Sequence, residues 1–232
     1  MNNTMEFAGK RPMTITNPRT SAVSGMIAGR ITDTQPTTLV VGCGSGKEAA
    51  VLAHDLNSKV VGIDIVENFD PEAARAVQLQ RGDATALDFH DASFDIIFSY
   101  HALEYIPDYH KALTEMHRVL KPAGTYCIGT PNRARILGYI GGGSTFAEKV
   151  SWNIADWRAR FRGRFRNEFG AHAGYTASEL QDILLQHFST TEDVTVEYYR
   201  RLYARRVGTV NVLADTGLGQ FLFPSVYFIG TR

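Results

Sequence analysis

The chain alternates short apolar runs with segments whose apolar residues recur every three or four positions. Residues 37–41 are β-branched and apolar and run straight into glycines, which predicts a buried strand ending in a tight turn. Residues 47–57 follow with Ala49, Ala50, Leu52, Ala53 and Leu56 at helical spacing. Residues 59–65 read as a strand apolar on both faces, as parallel strands covered on both sides are. The alanine-rich stretch 71–80 predicts a helix. Residues 94–99 predict a strand and 109–120 an amphipathic helix stopped at Lys121-Pro122-Ala123-Gly124. A strand over 125–130 is stopped by Pro131. Regularity then lapses until Thr176, after which 178–187 reads as a helix, 193–199 as a strand and 225–231 as a last strand. Upstream, 21–31 predicts a short helix, and the aperiodic segment 1–20 an arm or flap.

Strands alternating with helices predict a parallel sheet covered on both faces, and right-handed crossovers leave few topologies. The fold class is therefore α/β, a doubly wound sheet. With no internal repeat and no low-complexity linker, 1–232 reads as a single domain, with 1–36 as an N-terminal cap and 133–175 as an insert.

The insert opens with Gly141-Gly142-Gly143, a flexible joint, and Thr145 and Glu148 then have capping-box spacing. Ile154, Trp157, Phe161, Phe165 and Phe169 follow at three- and four-residue steps. In the same stretch Arg158, Arg160, Arg162, Arg164 and Arg166 occupy every second position, which a strand would gather on one face. The cap signal and the aromatic spacing favour a helix, with Gly163 as its break, acting as a lid. The arginines read as a solvated face or as a site for an anionic group. The aromatic stripe is core or lid lining.

Composition narrows the partners. Twenty-four basic residues balance 24 acidic ones, so there is no general attraction to nucleic acid or anionic membranes. The two cysteines, Cys43 and Cys127, are too few for a disulfide framework, lack metal-ligand spacing and sit in apolar runs, as reduced buried thiols do. Residues 1–20 lack the apolar centre of a signal peptide, and no run is long enough to span a bilayer. The expectation is a cytoplasmic, soluble protein.

The sharpest local feature is Val41-Gly42-Cys43-Gly44-Ser45-Gly46-Lys47-Glu48, where a buried strand passes through alternating glycines into a helix. Such a loop lets a ligand approach the backbone, and the helix start offers free amides to a carboxylate or phosphate. The next strand ends at Asp64, where a carboxylate can accept both hydroxyls of a ribose. A nicotinamide dehydrogenase shares these features, but its pyrophosphate loop spaces the glycines Gly-x-Gly-x-x-Gly.

From Thr38 to Asn132 the chain resembles the class I S-adenosylmethionine-dependent methyltransferases, and within them the small bacterial type 11 group. Besides the glycine loop, the resemblance rests on Val61-Gly62-Ile63-Asp64, Gly82-Asp83-Ala84, Leu87-Asp88-Phe89-His90-Asp91-Ala92-Ser93-Phe94-Asp95, Leu103-Glu104-Tyr105-Ile106-Pro107-Asp108 and Arg118-Val119-Leu120-Lys121-Pro122-Ala123-Gly124. It implies a Rossmann-like seven-stranded, mostly parallel sheet whose last strand is antiparallel. It implies S-adenosylmethionine as cofactor and S-adenosylhomocysteine as product. Gly42, Cys43, Gly44 and Gly46 would wrap the methionine part, Asp64 would hold the ribose and Ile65 would lie against adenine. Asp83 and Ala84 would meet the adenine, and Ser99 and Tyr100 would border the methyl end. The sequence departs from the family at Val40, which stands where an acidic residue is usual, and at Tyr105, which stands in place of a histidine.

Methyl transfer from a sulfonium depends largely on placing the acceptor in line, and a base is needed only when the acceptor must lose a proton of high pKa. Two histidines fit that role: His101, just past a strand end, and His172, in the run Ala171-His172-Ala173-Gly174-Tyr175-Thr176. The remaining histidines suggest no metal site. The expected reaction is methylation of a small-molecule acceptor of anionic or aromatic character, at oxygen. The alternatives are a nucleic-acid or protein methyltransferase, a nicotinamide-dependent oxidoreductase, and a cofactor-binding protein without catalysis.

Overall fold

The computed structural model describes residues 15–139, 145–169 and 173–232. A seven-stranded sheet runs through it in the order β3-β2-β1-β4-β5-β7-β6. The strands are β1 Thr37–Val41, β2 Lys59–Asp64, β3 Gln78–Arg81, β4 Phe94–Tyr100, β5 Leu120–Pro131, β6 Glu192–Asp193 and β7 Ser225–Thr231. β1 to β5 pair in parallel, and β7 runs antiparallel to β5. The order turns back between β1 and β4, the place where open α/β sheets bind ligands at their carboxyl edge.

Residues alternate across the sheet. Val40 packs toward α1 (Pro18–Ala28), α2 (Lys47–Asp55) and α7 (Thr195–Leu202) with Met26, Leu52 and Tyr198. Leu39 and Val41 pack the other way, toward α4 (Tyr109–Val119) and α6 (Ala177–Leu185) with Leu113, Met116 and Leu180. Both cysteines are free and buried. Burial and the nearby Asp64 push the Cys43 thiol up to about 12, and burial pushes Cys127 further. Two of the resembling motifs turn out to be scaffold. Arg118 binds Glu115, Asp91 and the carbonyls of Leu87 and Phe89, clamping the loop before β4. Lys121 reaches Asp95 at 2.8 Å, and Asp95 also takes the Thr37 hydroxyl.

Two sequence expectations fail. The stretch 71–80 holds only one helical turn, α3 Ala73–Ala76, and then β3. Alanine propensity favours a helix there, but Gln78 to Arg81 find partners along β2, and strand pairing outweighs a local preference worth tenths of a kcal/mol per residue. The strand expected over 193–199 is a two-residue bridge, β6, followed by α7. The β-branched residues suggested a strand, yet Thr195, Tyr198 and Tyr199 are buried at helical spacing. Helices α8 Val207–Asp215 and α9 Gly219–Leu222 had no clear sequence signal. Smaller shifts occur elsewhere. α1 begins earlier than 21, at Pro18, capped by Asn17. Lys121 to Gly124, expected to stop α4, lie inside β5, where the register shifts between Phe94 and Ile96.

The insert forms α5 Phe146–Phe161, with both hydrogen bonds of the Thr145–Glu148 capping box present. Gly163 has φ +64° just past its end, so the strand reading of the arginine run is excluded. No residue of α5 is buried, and Phe146 and Phe161 are more than 80% exposed. Of the aromatic stripe, Phe165 is buried, under the guanidinium of Arg160 at 4.0 Å. The triple glycine 141–143 and His172 lie outside the described residues.

Candidate active site

The glycine loop connects β1 to α2 at the carboxyl edge. The amides of Gly42 and Cys43 both donate to the Ile63 carbonyl at 2.9 Å, tying the loop to β2. A side chain on Gly42 would strike the Cβ of Ala102, and φ there is +71°. Gly44 has φ +53° but open space on its missing side chain. Gly42 is thus required by packing, whereas Gly44 leaves a cradle for a ligand. Gly42→Ala should unfold the loop and lower stability by about 2–4 kcal/mol, through overpacking plus left-handed strain. Gly44→Ala should lower it by only about 1–2 kcal/mol while weakening cofactor product binding. Thermal melts and titration calorimetry on both variants check this contrast, and equal melting losses would contradict it.

Asp64 locks the loop from the side. Its Oδ2 accepts from the Gly44 amide at 2.8 Å and its Oδ1 from the Val66 amide at 3.0 Å. Each oxygen keeps a second lone pair for a ribose hydroxyl. Ile65 stands beside it, 64% exposed. Lys47 pairs with Asp70 at 3.1 Å, and the Asp70 amide donates to the Ser45 carbonyl, fastening the segment after β2 to the glycine loop.

Asp83 accepts from the amide and hydroxyl of Thr85 through Oδ1, at 2.8 and 2.9 Å, and these bonds hold its carboxyl below the usual range. That is a turn-capping role, and Oδ2 remains for a ligand. Ala84 is partly exposed beside it. Ser99 is buried and donates to the Val41 carbonyl at 3.1 Å, so its hydroxyl braces β4 against β1. Tyr100 stacks on Tyr227, with ring centroids 5.4 Å apart.

His101 follows with φ +52°, a conformation rare for residues bearing a side chain, though histidine tolerates it better than most. Its amide donates to the Gly129 carbonyl at 2.9 Å, and Nε2 lies 3.2 Å from the Ser225 hydroxyl. The ring is exposed at the sheet edge, tilted against Tyr100 with centroids 3.9 Å apart.

Two clefts flank this edge. The smaller, about 420 Å³, is lined by Asn17, Arg19, Glu48, Tyr100, Leu202 and Tyr203. The larger, about 1290 Å³, lies over the α4–α6 side and includes Glu104, Tyr109, Arg133, Arg160, Phe165 and Tyr175. Tyr100 borders one and Glu104 the other, so His101 stands on the chain segment that joins them.

Sequence reasoning did not single out Glu48 or Glu104 as site residues. Burial pushes the Glu48 carboxyl up to about 7, with Arg19 pulling it back. A raised folded-state pKa means that the native state binds more protons, so this contribution to stability is present below the unfolded pKa and is lost as pH rises through 7. Glu48→Gln should therefore stabilise the protein at pH 8 by up to about 3 kcal/mol and have little effect at pH 4. Denaturant unfolding at the two pH values checks it, and an equal effect at both would contradict it.

Comparison with known proteins follows the same edge of the sheet. A family model described as a methyltransferase domain, of the type 11 group, matches residues 39–128, from β1 into β5. Over residues 39–128 the chain is thus similar to the methyltransferase domains of the type 11 group. Demethylmenaquinone methyltransferase of Staphylococcus epidermidis is 40% identical over 101 residues, which are 40% of this chain and 42% of the relative. The 2-methyl-6-phytyl-1,4-hydroquinone methyltransferase of Synechocystis is 35% identical over 113 residues, 44% of this chain and 35% of the relative. The chain thus spans about two-fifths of the length of these relatives. Over nearly the whole fold it is similar to Haemonchus contortus phosphoethanolamine N-methyltransferase 2 in complex with S-adenosyl-L-methionine, with TM-score 0.55, 18% identity, and coverage of 91% of this chain and 52% of that one. Among the described residues no helix is long and apolar enough to cross a membrane.

Proposed function

We propose that the protein transfers a methyl group from S-adenosylmethionine to the oxygen of a small hydroxyl-bearing acceptor. The observation that carries this reading is the junction of the glycine loop with Asp64, an anchored carboxylate beside an open glycine at the reversal of the strand order. The cofactor supplies an activated methyl group when bound. Asp64 holds the ribose, Ile65 covers the adenine, and Asp83 and Ala84 meet its edge through the remaining Oδ2 and the amide. Gly42, Cys43, Gly44 and Gly46 shape the backbone around the methionine part. Tyr100 borders the methyl end, and Ser99 acts from behind as a brace.

Val40 packs in the core, so the acidic contact usual at its position falls to another group. Glu48 takes that place in this reading, receiving the amino group of the methionine end while Arg19 meets its carboxylate in the smaller cleft. The acceptor occupies the larger cleft. Its aromatic walls and the names of the quinone-modifying relatives favour an aromatic molecule. The exposed α5 acts as a lid that excludes water. His101 receives the proton of the attacking hydroxyl, and His172 is the second candidate for that role.

Titration calorimetry tests the cofactor: S-adenosylhomocysteine should bind and NADH should not. The reverse result would assign the site to a nicotinamide oxidoreductase.

A further inference from the structure

Glu104 sits in a single 3₁₀ turn, Leu103–Tyr105, between β4 and α4. It is 7% exposed, and among the described residues neither carboxylate oxygen has a hydrogen-bond partner. It lines the larger cleft with both oxygens recessed behind the wall, so a ligand hydroxyl reaches them as the neighbouring side chains shift. A buried carboxyl without a partner is unfavourable in the free protein, and sites that recognise a ligand hydroxyl carry unsatisfied groups of this kind.

We propose that Glu104 selects a hydroxyaromatic acceptor in the larger cleft by accepting a hydrogen bond from a ring hydroxyl other than the one methylated. This rests on the reading of that cleft as the acceptor site. Glu104 lies three residues beyond His101, at most about 10 Å of chain, a separation that one substituted ring can bridge.

The surrounding charges choose among ligand heads. Arg135 and Tyr175 are close enough to interact electrostatically with Glu104. Arg133, Arg160, Arg166, Glu168, Glu179 and Asp182 line the same cleft. Arg133 is answered by Glu179 and Arg135 by Asp156. Arg160 has no carboxylate within ion-pair reach among the described residues; it donates to the Arg135 carbonyl at 2.7 Å and lies over Phe165. A cationic head would meet these guanidinium groups, and an anionic head would meet Glu104, Glu168 and Asp182. A neutral hydroxyl supplies the donor that Glu104 lacks without adding charge. Burial pushes the Glu104 carboxyl up to about 7, with Arg135 pulling it back, so a hydrogen-bond donor also favours its charged form. The rings of Tyr109, Phe165 and Tyr175 supply walls for a flat molecule.

The test compares para-cresol, whose hydroxyl stays neutral at about pH 7, with para-methylanisole, which has the same ring without the hydroxyl donor, by ultraviolet difference absorbance. Wild type should bind the phenol about tenfold tighter. Glu104→Leu should bring that ratio close to one, and Glu104→Gln, whose amide oxygen still accepts but carries no charge, should lower it in part. Neither should melt at a markedly lower temperature, because the unpartnered buried carboxylate is gone. A wild-type ratio of one, or an undiminished ratio in either variant, would overturn the proposal. A marked fall in the melting temperature of Glu104→Gln would also overturn it, by showing that the carboxylate holds the fold. S-adenosylhomocysteine is titrated into the same samples. Binding of it together with a wild-type phenol ratio of one refutes the Glu104 assignment alone, whereas failure to bind it refutes the proposed reaction.

Discussion

Asp64→Ala should weaken S-adenosylhomocysteine binding by about 30- to 150-fold, the loss of roughly 2–3 kcal/mol from hydrogen bonds to a charged acceptor. Two effects add. In the proposed reading, the variant removes the oxygens that accept from the ribose hydroxyls. It also frees the amides of Gly44 and Val66, which Asp64 holds at 2.8 and 3.0 Å. Gly44 then has less to keep it in its left-handed conformation, so the loop binds from a broader ensemble. Asp64→Asn separates the effects, because an amide nitrogen cannot accept from a backbone N–H and one of the two anchors is lost. Asn should lie between wild type and Ala in affinity. Hydrogen exchange over 42–46 should rise in both variants, more in Ala. A folded Asp64→Ala protein with unchanged affinity would remove the ribose assignment.

The part of this site that was legible in the sequence is the part built from backbone geometry. A glycine loop between a buried strand and a helix leaves a pattern because each position has a local demand, and the strand reading of Thr37–Val41 matches the structure residue for residue. The sheet edge at β3 was illegible for the opposite reason. Gln78-Leu79-Gln80-Arg81 holds one apolar residue and no β-branched one, too little to read as a strand, and pairing with Val61 to Asp64 makes it one. The capping box of α5 could be read from two residues, but its exposure could not, since burial depends on what else covers the aromatic stripe. Glu48 and Glu104 were missed as site residues because burial, not residue type, makes a carboxylate unusual. Glu104 lies inside one of the segments that carry the family resemblance, Leu103 to Asp108, but nothing in that run marks its carboxylate as buried. Asp83 shows a limit of the other kind: the motif points to a ligand, and the structure also gives one of its oxygens a turn to cap.

His101→Ala should lower turnover by about 10²- to 10⁴-fold, the usual contribution of a positioned base, with S-adenosylhomocysteine affinity nearly unchanged. The expectation rests on conformation as much as on position. An imidazole residue is held at φ +52°, in a region that costs most residues about 1–2 kcal/mol, on the segment joining the two clefts. The Ser225 hydroxyl, 3.2 Å from Nε2, orients the ring at the sheet edge. His101→Gly removes the ring and relaxes the backbone together, so a loss of turnover in that variant cannot come from strain. His101→Gln keeps a hydrogen-bonding side chain that is a poor proton acceptor. Turnover is read as S-adenosylhomocysteine released with a hydroxyaromatic acceptor. If Gln works at the wild-type rate, His101 only positions the acceptor. If Gly and Ala are also fully active, the proton goes elsewhere, and the same substitutions at His172 become the experiment.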